Sequence, residues 1–238
     1  MVLQGARVDA TTFGTLGDRL FRFGARRADA GIGLSVDRDS SENAVFPTRG
    51  LGRFVSYVSK RDSPTIIDLG PVVGANVSFF GEQLGCKLIV EDLFAELERV
   101  ARQVQQKEIE LVSAINGRLD HLPGSADGVL CWDLFDYLDQ PSAESLARQV
   151  IEVLKPGGAV FALFGGSNSG AERYTKYAIM DREHLEHRPY KATRGKGRTW
   201  GSRDVFKLFH GLTIGETYLL KIQIREMLFR KPQAAAQV

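Results

Sequence analysis

Three short segments of this 238-residue chain put chemistry-bearing residues directly after apolar runs. The first is Asp68-Leu69-Gly70-Pro71-Val72-Val73-Gly74, which follows Thr65-Ile66-Ile67. A glycine after a strand permits a tight turn and lets a ligand approach the backbone closely. A plain strand-to-helix turn uses glycine in the same way. The spacing is not G-x-G-x-x-G, and no Walker-type lysine follows, which disfavours a nicotinamide dinucleotide or a nucleoside triphosphate. The second segment is Glu91-Asp92, after Lys87-Leu88-Ile89-Val90. An acid at that place accepts hydrogen bonds from ribose hydroxyls. Asp92 also suits capping the following helix, which leaves Glu91 the better ribose candidate. The third is Cys131-Trp132-Asp133, with Asp136 and Tyr137 just beyond. Asp136 and Tyr137 are read chiefly as loop bonding and packing, and a buried strand cysteine such as Cys131 is usually inert.

Other reactive residues carry less. Cys86 and Cys131 are too few for a disulfide scaffold and lack metal-ligand spacing. The four histidines, His121, His184, His187 and His210, form no H-E-x-x-H pattern. His184 and His187 could share a helix face, but they read as a solvated pair, and no metal site is expected. Tyr190 and Trp200 flank a basic stretch containing Lys191, Arg194, Lys196, Arg198 and Arg203. It reads as a solvated loop, with a substrate lid or an RNA contact as the functional alternatives.

These segments need elements to hold them. Residues 51–60 have apolar side chains at helical spacing, at 51, 54, 55 and 58. Residues 65–69, 87–90, 127–132 and 159–164 read as short, continuously apolar strands. Between them lie helices over 76–84, over the stripe Leu93, Leu97, Val100, Ala101 and Val104, and from a Ser142 cap through Leu146, Val150, Val153 and Leu154. Pro156-Gly157-Gly158 stops the last of these. Residues 109–123 are ambiguous, with 111–115 readable as a strand. A Gly/Ser loop (165–170), the polar basic stretch, a short helix near 204–209 and two strands near 213–219 and 224–229 complete the chain. Apolar strands alternating with amphipathic helices predict a parallel sheet covered on both faces. Ligands of such sheets bind outside the carboxyl ends of the strands.

The three segments, with Leu154-Lys155-Pro156-Gly157-Gly158, occur in an order and spacing that resemble the class I S-adenosylmethionine (SAM) dependent methyltransferases. The resemblance covers about residues 51–230. It implies an α/β, Rossmann-like, seven-stranded mostly parallel sheet with helices on both faces and an antiparallel last strand. It implies SAM as cofactor and methyl transfer to an unidentified acceptor. Asp68, Leu69, Gly70 and Gly74 would form the turn under the methionine and ribose, and Glu91 or Asp92 would hold the ribose. Asp120 is the nearest match to the acid that meets the adenine amino group. Cys131, Trp132 and Asp133 would lie beside the methionine moiety or the substrate. A sulfonium cation is favoured near carboxylates and aromatic faces. Two departures stand out: Val72 replaces the usual middle glycine, and Pro71 stiffens the turn. No Asp/Asn-Pro-Pro-Tyr/Phe sequence follows residue 132, which disfavours amino methylation of DNA bases. The alternative is a degenerate SAM-binding domain serving as a regulatory or RNA-interaction module.

Composition bounds the rest. Thirty-one Lys and Arg against 29 Asp and Glu give a net charge of +2, which does not suggest a dedicated nucleic-acid binder. A small-molecule acceptor is therefore expected before a nucleic acid. No window has the ~18 consecutive apolar residues of a membrane span. The expected organisation is an extension over 1–50, with a basic amphipathic helix at 13–27, a methyltransferase-like domain over 51–232 and a tail over 233–238. A reduced, cytoplasmic protein without a secretory signal is expected.

Overall fold

The computed structural model describes residues 43–105, 111–165 and 172–233. The helix expected at 13–27, the loop at 166–170 and the end of the tail lie outside the described residues. The elements run β1 (Ala44–Pro47), α1 (Gly50–Val58), β2 (Thr65–Asp68), α2 (Gly74–Val77, continued by a wider turn over Ser78–Gln83), β3 (Lys87–Val90), α3 (Leu93–Gln105), α4 (Leu111–Ile115), β4 (Ala126–Trp132), α5 (Gln140–Val153), β5 (Leu154–Gly165), β6 (Arg173–Ile179), β7 (His184–Lys191), α6 (Ser202–Leu208), β8 (Thr213–Leu219) and β9 (Ile224–Arg230).

Six strands form the main sheet in the order β3-β2-β4-β5-β9-β8. β2 is parallel to β3 and β4, and β4 to β5, while β9 runs antiparallel to both β5 and β8. The antiparallel last strand is thus as expected. Neighbouring residues of one strand feed opposite faces. Ile67 and Val129 join one apolar core with α3, α5 and α6, whereas Ile66 and Leu130 join the other with α1. A strand buried on both sides needs an unbroken apolar run, which is why these segments do not alternate in sequence. On α1, Leu51, Phe54, Val55 and Val58 are buried. They approach β4 closely at Gly128, where a Cβ would stand 2.6 Å from Phe54 Cζ.

The expected mostly parallel sheet is present, but among the described residues it has six strands and not seven: Leu111–Ile115, readable as a strand, is a helix, and β3 is the outermost described strand on its side. Leu111 and Ile115 are four apart, a spacing that shares one face in a strand and in a helix alike. The cap of α5 is Asp139, whose side chain accepts from the Ser142 amide at 2.9 Å. Asp139 has extended backbone and a proline follows in the first turn, the usual arrangement at a helix start. The polar stretch after residue 172, to which the sequence assigns no element, holds two strands. β6 and β7 form a hairpin that β1 joins in an antiparallel three-stranded sheet.

That small sheet is tied to the main one through Asn76. Its Nδ2 donates to the Tyr177 carbonyl at 3.0 Å, and its Oδ1 accepts from the Ile179 amide at 2.8 Å. The side chain of α2 thereby acts as a strand neighbour for β6 and fixes the hairpin near the turn after β2.

Candidate active site at the strand ends

Parallel pairing places Asp68 opposite Val90 on one side and Leu130 on the other. The turns after β2, β3 and β4 therefore share one edge of the sheet, and Asp68, Glu91 and Trp132 come together there. Asp68 is fully buried. Its Oδ1 accepts from the Gly70 amide at 2.9 Å and from Trp132 Nε1 at 2.6 Å. Burial pushes its pKa up to about 6, against those two hydrogen bonds. The tryptophan closes over the turn, and a Cβ at Gly70 would lie 2.6 Å from Trp132 Cδ1. Only glycine fits there. At Gly74, by contrast, a Cβ would meet nothing within 4 Å, and Val72 beside it is exposed. One end of the turn is sealed and the other is open.

Backbone strain marks the same edge. Asp92, two residues past β3, and Trp132, the last residue of β4, both have positive φ, 42° and 49°, on the two sides of β2. Non-glycine residues persist there only when their surroundings over-determine them, and such residues cluster at functional sites. Trp132 is locked by its bond to Asp68 and by stacking on Tyr177, with ring centroids 5.3 Å apart. Asp92 is held as the cap of α3, accepting from the Ala95 amide at 3.1 Å.

Past β4 lies a buried ionic knot. Lys196 Nζ stands 2.9 Å from both Asp133 Oδ2 and Asp136 Oδ2. Asp136 also accepts from the Gly165 amide at 2.8 Å. Burial pushes Asp136 up to about 6, with Lys196 opposing. Burial also works against the charge on Lys196, but Asp133 and Asp136 outweigh it and raise its pKa. The Asp133 and Asp136 Oδ1 atoms are buried with no hydrogen-bond partner among the described residues.

Residues 66–158 match a family model described as a methyltransferase domain. The match spans about two-fifths of the chain and gives that segment the likeness of a methyltransferase domain. Every candidate from Asp68 to Asp133 falls inside the matched segment. A chemotaxis protein methyltransferase of Klebsiella aerogenes is 42% identical over 41 residues, which is 17% of this chain and 14% of that protein. The chain thus matches only about a seventh of that relative's length. Among solved structures, the PH0226 protein of Pyrococcus horikoshii is similar at 17% identity and a TM-score of 0.48, over 76% of this chain and 88% of that one. A Burkholderia thailandensis 1,6-didemethyltoxoflavin-N1-methyltransferase is similar at 12% identity and a TM-score of 0.44, over 77% of this chain and 79% of that one.

Within the matched segment the expected residues have different fates. Asp68, Gly70, Cys131, Trp132 and Asp133 lie together behind the turn and are buried. Burial also raises the Cys131 thiol far above its ordinary value. Leu69 is core, packed on the α3 side. Gly74, Glu91 and Asp92 face the outer side of the edge, with only part of each buried or none. Asp120 is exposed, and its neighbour His121 is the residue turned inward, with Nε2 2.7 Å from Glu91 Oε1. Arg118 stands 4.0 Å from the same carboxylate. Sequence reasoning missed both. The basic stretch is a loop over residues 192–201, as read, but Lys196 within it is a mostly buried ion-pair partner and not a solvated charge. His184 and His187 lie on strand β7 and point to opposite faces, one exposed and one buried. No group of three potential ligands among the described residues could hold a metal. No helix among them is long and apolar enough to cross a membrane.

The outer half of the edge fits SAM. Gly74 leaves open space over the turn, and the Glu91 carboxylate, about one-fifth exposed and paired with His121, is an acceptor at the end of the adjoining strand.

Proposed function

We propose that this protein transfers a methyl group from SAM to a small-molecule acceptor at the carboxyl edge of the main sheet. The observation that carries the reading is the sealed-and-open turn at Gly70 and Gly74 beside the Glu91 carboxylate, inside the matched segment. Gly70 to Gly74 would hold the methionine and ribose, and Glu91, flanked by Asp92, the ribose hydroxyls. SAM supplies a methyl group on a sulfonium centre, an electrophile that needs no prior activation. The chain's contribution is positioning, which alone removes a large part of such a barrier. Asp68 fixes the turn through the Gly70 amide and holds Trp132 across it. Trp132 and Tyr177 exclude water from beneath. Glu91 accepts hydroxyl donors once His121 turns aside.

A small-molecule acceptor is supported by the near-balanced charge and by Lys196, which is spent inside the fold rather than offered to a phosphate backbone. A cytoplasmic setting is supported by two free, buried cysteines. The second reading, a SAM-binding module without turnover, is favoured by the ionic knot, which fills the space past β4 with Asp133, Asp136 and Lys196.

Isothermal titration with SAM tests the proposal: a folded sample should bind it, and absence of binding overturns it. Glu91→Ala should weaken SAM binding more than Asp92→Ala. Binding without turnover over a broad panel of small acceptors would favour the second reading.

A further inference from the structure

A cleft opens at this edge, between the start of α3 and the β6–β7 hairpin, with Pro71 of the turn and Asp92 in its wall. Its rings are Phe94, Tyr174 and Tyr190. Phe94 and Tyr174 are buried and pack edge-on at 5.2 Å, and Tyr190 meets Tyr174 at 5.7 Å. This makes a rigid aromatic floor. Four charged residues stand around it: Lys176, Lys191, Asp92 and Glu98. The acids already have partners. Glu98 accepts from the Thr193 amide at 2.8 Å, from the Thr193 hydroxyl and from Arg102. Asp92 caps α3. The lysines have no carboxylate within ion-pair distance among the described residues, and Lys176 lies over the Tyr190 ring at 5.2 Å. With Glu98 paired to Arg102, two lysines face the single unpaired carboxylate of Asp92, which leaves the cleft a small positive excess beside apolar ring faces.

We propose that this cleft binds a planar aromatic anion, a single-ring carboxylate in its simplest form, and that this is the class of acceptor the enzyme takes. The second clause rests on the methyl-transfer reading above. The cleft's volume is ≈ 180 Å³, below the roughly 300 Å³ at which pockets for drug-sized ligands begin. One ring with a carboxylate suits that space; a nucleotide does not. The ring lies against Tyr174 and Tyr190, and the carboxylate faces Lys176 and Lys191, whose stems give room for either orientation. The back of the floor is shared with the site, because Tyr174 packs on Tyr137 at 4.9 Å and the Tyr137 hydroxyl points to Asp133 at 3.4 Å.

Benzoate and its neutral isostere benzamide are the probes, titrated into the full chain by ligand-observed NMR, with SAM titrated separately and together. Benzoate should bind at least about tenfold more tightly than benzamide, the scale of one charge-assisted hydrogen bond. Lys176→Gln/Lys191→Gln should remove that preference while leaving SAM binding unchanged, and Lys176→Arg/Lys191→Arg should keep it. Equal binding of the two probes, no binding of benzoate, or an unchanged preference in the Gln variant overturns the proposal. Displacement of benzoate by SAM also overturns it, because the cleft would then belong to the methyl donor. If benzoate binds as expected and SAM does not, the anion cleft stands and the methyl-transfer reading falls.

Discussion

Strand β4 carries an aspartate near each end of its run, and the two are handled in opposite ways. Asp127, at the amino end, accepts from the Thr65 amide at 2.9 Å and from Lys155 at 2.7 Å, with Arg61 3.3 Å away. Both cations there are about one-third exposed, at 35% and 34%. Asp133, just past the carboxyl end, shares one mostly buried lysine with Asp136, and both acids, like Asp127, keep one buried oxygen without a hydrogen-bond partner among the described residues. The amino end is a surface clasp joining β2, β5 and the end of α1. The carboxyl end buries two carboxylates and most of one lysine in a space that an apolar core would fill at less cost. Such an arrangement is retained for what it positions, which here is the loop after β7 and the turn beyond β4.

The largest expected contrast follows from removing one cation at each end. Lys196→Met leaves two buried carboxylates facing each other and should cost about 3–5 kcal/mol of unfolding free energy. Lys155→Met leaves Asp127 with Arg61 and the Thr65 amide, at a half-open site, and should cost about 1 kcal/mol or less. Urea denaturation of the two variants measures both. Equal losses would mean that the two ends are built alike.

Protonation separates the carboxyl end further. Asp68 titrates at 3.8 when unfolded and at about 6 when folded, chiefly through burial. The folded state thus holds the proton more tightly. Its contribution to stability is complete below about 3.8 and is lost as pH rises through 6. His187 is the reverse case: burial beside Tyr177 lowers it from 6.5 to about 4. Its contribution is complete above 6.5 and is lost as pH falls through 4. Between pH 4 and 6 the two slopes oppose, so single variants are needed to see them. Relative to Asp68→Asn, the wild type should lose roughly 2–3 kcal/mol on going from pH 4 to pH 7. Relative to His187→Phe, it should lose a comparable amount, roughly 2–3 kcal/mol, on going from pH 7 to pH 4. Parallel pH profiles for wild type and both variants would refute this account.

The contrast between the two ends was only half legible in the sequence. The strands were, because a sheet covered on both faces demands runs such as Ile66-Ile67 and Leu88-Ile89-Val90. So was α3, whose stripe at Leu93, Leu97 and Val100 is buried. The β6–β7 hairpin was not. Its buried residues, Tyr174, Tyr177, Ala178, Ile179, Leu185 and His187, are spread over both faces among charged and polar neighbours, so it shows no clean alternation of a strand. The site partners were hidden for another reason. Lys196 meets Asp136 across 60 residues and His121 meets Glu91 across 30, and no local spacing encodes either. Asp120 was favoured for its charge, whereas the backbone turns its histidine neighbour inward.

The two glycines of the turn give a smaller and more pointed comparison. Gly70→Ala drives a methyl group to 2.6 Å from the Trp132 ring. That ring is held by Asp68 and Tyr177, and its backbone already has positive φ. It cannot move aside cheaply, and a loss of about 1–3 kcal/mol is expected, as for other overpacked sites. Gly74→Ala places its methyl in open space at the first turn of α2. There alanine restricts the unfolded chain and favours helix, so stability should stay level or rise by up to about 1 kcal/mol. SAM binding should respond in the other sense. If the open end of the turn is where the donor lies, the added methyl intrudes on it, and calorimetry should show weaker binding by an otherwise sound protein. A Gly74→Ala variant of unchanged stability and unchanged affinity would move the donor away from this turn, and with it the site proposed at the edge.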